Sequence, residues 1–107
     1  MKFGYGEYAV IFKALSDETR LRILIMLTKK GRTCACKILE TFNFTQPTLS
    51  YHMKQLTDSG LIKAEKDGKW VYYSRNCARM EILREFIAEV NKIGNEPNCC
   101  GVADCHN

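Results

Sequence analysis

Six cysteines in 107 residues are the most chemically telling feature of this chain. Cys34 and Cys36 form a CxC pair, with Arg32 and Lys37 beside it; Cys99, Cys100 and Cys105 form a CC-x4-C cluster near the end. Nearby cations and a helix N-terminus favour thiolate over thiol. Thiolates select soft ions, and a cysteine-only pair with no neighbouring histidine or carboxylate cluster points to As(III) or Sb(III), or to Cd or Pb. Two other readings compete: a cysteine filling a small buried space, and a thiol redox sensor whose cysteine pair oxidises. Structural zinc would need four ligands in paired spacing, which CxC alone does not provide. Geometry sharpens the first reading. Two side chains two residues apart in a regular helix point about 200° away from each other. If both cysteines lie in one helix, a shared ion must unwind its first turn, so ion binding and helix integrity oppose one another.

A second kind of chemistry follows directly. Thr33 is positioned to cap a helix over about 34–42, with Ile38, Leu39 and Phe42 at core spacing. After a turn at 43–45, Thr45 caps a second helix to about Ser59, closed by Gly60; Pro47 falls in its first turn, where a missing amide costs nothing, so Thr48 is the cap's target. Phe44 and Leu49 are placed as a hydrophobic staple. On the second helix Leu49, Met53 and Leu56 share one face, with His52 at its edge as a structural histidine. Gln46, Thr48, Ser50, Tyr51 and Lys54 fall on or beside the opposite arc. Hydroxyls, amides and a cation there suit base edges and phosphates, which makes Gln46–Gln55 a reading segment of a helix-turn-helix. An ordinary solvated face is the alternative. Two extended runs, 61–66 and 69–74, then flank Asp67–Gly68, a strong hairpin signal, with Lys66 and Lys69 at the tip. Helix, turn, reading helix and hairpin make a winged helix-turn-helix.

The remaining elements support this unit. Tyr5, Tyr8, Phe12 and Leu15 predict an amphipathic helix over about 7–15; Ser16 or Asp17 caps another to about Lys29, whose 21–27 run implies burial on most sides. Cys77 opens a last helix over about 78–93 and reads as structural; Leu83, Phe86, Ile87 and Val90 mark its apolar stripe. The order is α-α-α-α-β-β-α, mainly α with a small β-hairpin. Residues 1–93 form one domain, and 94–107 a flexible cysteine-rich tail. The net charge of +4 is uneven: +4 over 1–44, +2 over 45–75 and −2 over 76–107, a distribution suited to a polyanion. No apolar run reaches membrane-span length and no signal peptide opens the chain, so a cytoplasmic protein with reduced thiols is expected, with no membrane partner. Gly-rich phosphate loops, nucleophile–base motifs and paired acids are missing, so no enzyme and no organic cofactor are expected.

LSDETRLRIL (15–24), TCAC (33–36), FTQPTLSYHMKQLTDSGLI (44–62) and KDGKWVYYS (66–74) together resemble the ArsR/SmtB family of metal-responsive repressors over about residues 8–93. The resemblance implies a homodimer, formed through the first and last helices, that binds double-stranded operator DNA and releases it when a toxic metal or metalloid binds. A twofold dimer places two reading helices roughly 34–36 Å apart on a palindromic site. In the family's arsenic-binding version of the CxC motif a third cysteine follows three residues later; here Leu39 stands there. The tail cysteines are candidates to complete the Cys34/Cys36 site or to form a three-sulfur site of their own, the alternative being an idle flexible end. The zinc site that some members build on the last helix is not carried over, because that helix has no histidine.

Overall fold

The computed structural model describes residues 3–92. The tail expected at 94–107, with Cys99, Cys100 and Cys105, lies outside the described residues. Five helices and three short strands run in the order α1 (Tyr5–Leu15), α2 (Glu18–Lys30), β1 (Thr33–Cys34), α3 (Ala35–Phe42), α4 (Gln46–Asp58), β2 (Ile62–Asp67), β3 (Trp70–Arg75) and α5 (Cys77–Val90). The antiparallel sheet has the order β1-β3-β2, so the hairpin is joined by a third strand absent from the predicted order. Among the described residues no helix is long and apolar enough to cross a membrane.

Local chemistry accounts for the helix starts. The Asp17 carboxylate accepts from the Arg20 amide at 3.0 Å, and this bond holds its pKa below the ordinary value. Asn76 Oδ1 caps α5 through the Arg79 amide, and the Glu7 carboxylate returns to the Gly4 amide at the start of α1. Cys77, the first residue of α5, is exposed, so it does not fill the core. At the hairpin, Asp67 pairs with Trp70, so the two-residue loop is Gly68–Lys69, one residue later than the sequence pattern places it. Positive φ falls on Gly68 and not on Lys69, the signature of a type II′ turn.

The core gathers Ile11 of α1, Ile23, Leu24 and Leu27 of α2, Ile38 of α3, and Leu49, Met53 and Leu56 of α4, with Leu61, Ile62 and Leu83. Removing any of the fully buried members would cost about 2–5 kcal/mol. The predicted burial of α2 on most sides is corrected: Leu21 and Ile25 are 46% and 53% exposed. Its inward face instead includes the buried Arg20, whose Nε donates to the Ala14 carbonyl at 2.6 Å while Nη1 lies 3.3 Å from His52 Nδ1. That network ties the end of α1, the start of α2 and the inner edge of α4. His52 is therefore the structural histidine its position implied.

Phe86 of α5 lies against Tyr8 and Phe12 of α1, with ring centroids 4.3 and 5.6 Å apart. The outward surfaces of the same two helices leave Tyr5, Val10, Phe12, Ile87 and Val90 exposed.

Candidate functional site

The turn and second helix of the reading unit are built as the sequence implied, while its first helix starts differently. The Asn43 backbone is left-handed (φ 57°) and turns the chain between α3 and α4, while Phe42 and Phe44 stack across the corner at 5.3 Å. Thr45 Oγ1 accepts from the Thr48 amide at 3.4 Å and donates to the Thr48 hydroxyl at 3.0 Å. Leu49, Met53 and Leu56 are buried, which turns Gln46, Thr48, Ser50, Tyr51 and Lys54 to solvent on one face. Lys54 is paired there with Asp58 at 3.1 Å. At the end of the helix Gly60 has φ +85°, a conformation that favours glycine, and a Cβ there would also have to displace the Arg79 guanidinium.

The wing carries Lys66 and Lys69 at its exposed tip. Its orientation is fixed by a residue the sequence reading did not assign to it. Arg32, just before β1, donates from Nε to Glu65 at 2.9 Å, lies 3.7 Å from Asp67, and covers the Tyr72 ring at 3.9 Å. Glu65 raises the pKa of Arg32, so the cation is constant. Exposed pairs of this kind each contribute little to stability, but three contacts to one guanidinium define an angle. Trp70 also went unremarked in the sequence; it is half exposed, with Lys69 Nζ 5.2 Å from its ring.

The cysteines depart most from expectation. Cys34 is not in the α3 helix. It is the second residue of β1, paired with Tyr72 of the wing, and at the same time the extended N-cap of α3. Its sulfur accepts from the Cys36 amide at 3.3 Å. With Cys34 extended and outside the helix, the 200° divergence of two positions in one regular helix does not apply to this pair. The neighbouring Cys36 side chain lowers the pKa of Cys34, and Cys34 in turn raises that of Cys36. Among the described residues no third histidine, cysteine, aspartate or glutamate joins them in a metal-holding cluster.

The pair opens into a cavity of about 220 Å³. Cys34, Ala35, Cys36 and Leu39 line one side; Gln46 closes it from α4, and Lys69–Val71 from the wing. Cysteine sulfurs and two of the expected DNA contacts thus border one space. Two soft donors at a helix start, Cys34 half-buried and Cys36 exposed, suit a thiophilic ion and suit neither magnesium nor calcium.

Comparison with known proteins agrees with this architecture. Residues 17–64 match the model of the bacterial regulatory protein, arsR family. The arsenical resistance operon repressor of Staphylococcus aureus is 45% identical over 97 residues, spanning 91% of this chain and 89% of that protein. A crystal structure of an ArsR family transcriptional regulator superposes with a TM-score of 0.75 at 25% identity, covering 85% of this chain and 93% of that one. The homodimeric winged helix-turn-helix DNA-binding domain from Mycobacterium bovis gives 0.65 at 27% identity, covering 79% and 81%. These are regulators of transcription, not enzymes, and this chain belongs to the arsR family of bacterial regulatory proteins.

Proposed function

We propose that the protein is a dimeric operator-binding repressor that leaves DNA when As(III) or Sb(III) is held by Cys34 and Cys36. The observation that carries this reading is the cysteine pair at the junction of β1 and α3, where the Cys34 sulfur caps the helix through the Cys36 amide. The arsenical resistance repressor resembled over nearly the whole chain supports the choice of ion. With Leu39 where a local third thiolate would stand, Cys99, Cys100 and Cys105 are the sulfur source for a three-coordinate ion. The exposed apolar outer faces of α1 and α5 support a dimer through those helices, as does the homodimeric structure of similar fold.

In this reading α4 enters the major groove, with Gln46, Thr48, Ser50 and Tyr51 toward bases and phosphates, and Lys54, Lys66 and Lys69 on the backbone. Cys34 belongs to two elements at once. Engaging its sulfur removes the cap of α3 and displaces the strand that braces the wing, so both parts of the DNA-binding surface respond. Linkage requires the ion to bind the released conformation more tightly, and DNA to weaken ion binding by the same factor.

The test is titration of the reduced protein on its own promoter DNA with arsenite, antimonite, cadmium and zinc, followed by anisotropy. Release by arsenite or antimonite in the presence of reductant is expected. Release by peroxide with arsenite inert would instead assign thiol oxidation.

A further inference from the structure

Two acids stand among the wing cations proposed to meet DNA. Over residues 65–69, Glu65 and Asp67 equal Lys66 and Lys69 in number, so the tip has no net charge of its own. All four residues are exposed. Positions two apart on a strand are separated by roughly 7 Å, inside the screening length of about 8 Å at physiological ionic strength. A free carboxylate here would therefore compete with phosphate for the neighbouring lysines. The ion pairs run elsewhere. Arg32, from outside the hairpin, lies over the Tyr72 ring at 3.9 Å and meets Glu65 at 2.9 Å and Asp67 at 3.7 Å. Among the described residues, neither acid pairs with a lysine. The sheet explains the placement. Tyr72 pairs with Cys34 of β1 on one side and with Glu65 of β2 on the other, and Asp67 follows two residues after Glu65. Tyr72 and both acids therefore share one face of the sheet, while Lys66 belongs to the other.

We propose that Arg32 is a positioning residue for DNA binding: by occupying Glu65 and Asp67 it leaves Lys66 and Lys69 free to take phosphate. The inference rests on the reading of those lysines as backbone contacts, and it adds a residue that acts on DNA through them. A guanidinium suits the task. Its charge is permanent, and its planar fork reaches two carboxylates better than a single ammonium does. Its seat on Tyr72, in the central strand of the sheet, keeps it beside the acids. With carboxylates at its fork and an aromatic ring against its face, Arg32 is a poor direct ligand for phosphate. Exposed pairs of this kind contribute little to stability, so losing them should leave the fold intact and be read in DNA affinity.

The experiment is a double-mutant cycle read by anisotropy on labelled promoter DNA, at low and at high salt. It uses the reduced full-length protein, Arg32→Gln, Glu65→Gln with Asp67→Asn, and the three changes combined. Arg32→Gln is expected to weaken binding roughly 3- to 10-fold at low salt, the scale of one unit-charge pair at contact distance in water. The loss should shrink as salt rises, and Arg32→Lys should lose less than Arg32→Gln. The acid-free variant should bind at least as tightly as the wild type. In that background Arg32→Gln should cost less than about 2-fold, because no acid is left to capture the lysines. An equal cost of Arg32→Gln in both backgrounds would overturn the proposal in favour of a direct phosphate contact. An acid-free variant as weak as Arg32→Gln would overturn it in favour of a brace that only holds the wing. No loss in Arg32→Gln, or a loss independent of salt, would overturn it too. Wild-type binding by Lys66→Ala with Lys69→Ala would instead overturn the underlying reading of the wing.

Discussion

The two helices of the reading unit begin in different ways. The start of α4 is made of oxygen and a ring: Thr45 caps it through Thr48, and Pro47 removes an amide that would have no partner. The start of α3 is made of sulfur: Cys34 caps it through the Cys36 amide. Sulfur is the weaker acceptor but the better ligand for a soft ion. The same atom also sits at the end of β1, paired to the wing, whereas Thr45 belongs to no strand. One start therefore supports the side chains proposed to face DNA, and the other offers sulfur to a soft ion and is paired to the wing. Magnitudes show that the pairing matters. Even an oxygen cap contributes only about 1 kcal/mol, while useful coupling between sites runs at about 1–3 kcal/mol. Loss of a sulfur cap lies at or below the low end of that range, so the proposed release also calls for displacement of β1 from β3.

The sharpest way to break this contrast is to remove the sulfurs. Cys34→Ser with Cys36→Ser keeps a capping oxygen, so operator affinity should persist while arsenite-driven release, a change of about 5- to 150-fold in affinity, disappears. Anisotropy with labelled operator reads both quantities. Next comes the difference in cap strength. Thr45→Ala should cost about 1 kcal/mol in urea unfolding, while Cys34→Ala costs clearly less. Lys69→Ala isolates the wing tip: binding should weaken on all sequences alike, and the slope of log affinity against log salt should fall by about one unit. The smallest effect is one of order. Because the neighbouring Cys36 side chain lowers Cys34 while Cys36 itself is raised, iodoacetamide should modify Cys34 before Cys36, at a pH below that needed by an ordinary cysteine. Mass spectrometry after brief exposure separates the two.

The same contrast marks what the sequence could and could not tell. The start, inner face and outer face of α4 were legible because a 13-residue helix repeats its pattern over several turns and Thr45–Pro47 punctuates it. Strand β1 was not legible, because Thr33–Cys34 is too short to show alternation and its partner lies about 40 residues away in β3. Cysteine is also no usual cap, so Thr33 drew that role and both thiols were placed in one helix. The hairpin was found and its register missed by one residue, since Asp-Gly signals a turn more surely than it fixes which residue is paired last. The burial of Arg20 was hidden because it stands in the polar stretch 16–20 and depends on the Ala14 carbonyl and on His52, 32 positions away. Arg32 hid for a similar reason: its acidic and aromatic partners are all on the wing.

The most direct measurement of the difference between the two helix starts is amide hydrogen exchange in the reduced protein with and without arsenite. Faster exchange is expected at Thr33–Cys36 and at their β3 partners Tyr72 and Tyr73, with the amides of Thr48 and Leu49 at the start of α4 unchanged. Exchange that is unaltered at β1 and β3, or that rises only at α4, would contradict a switch seated at Cys34.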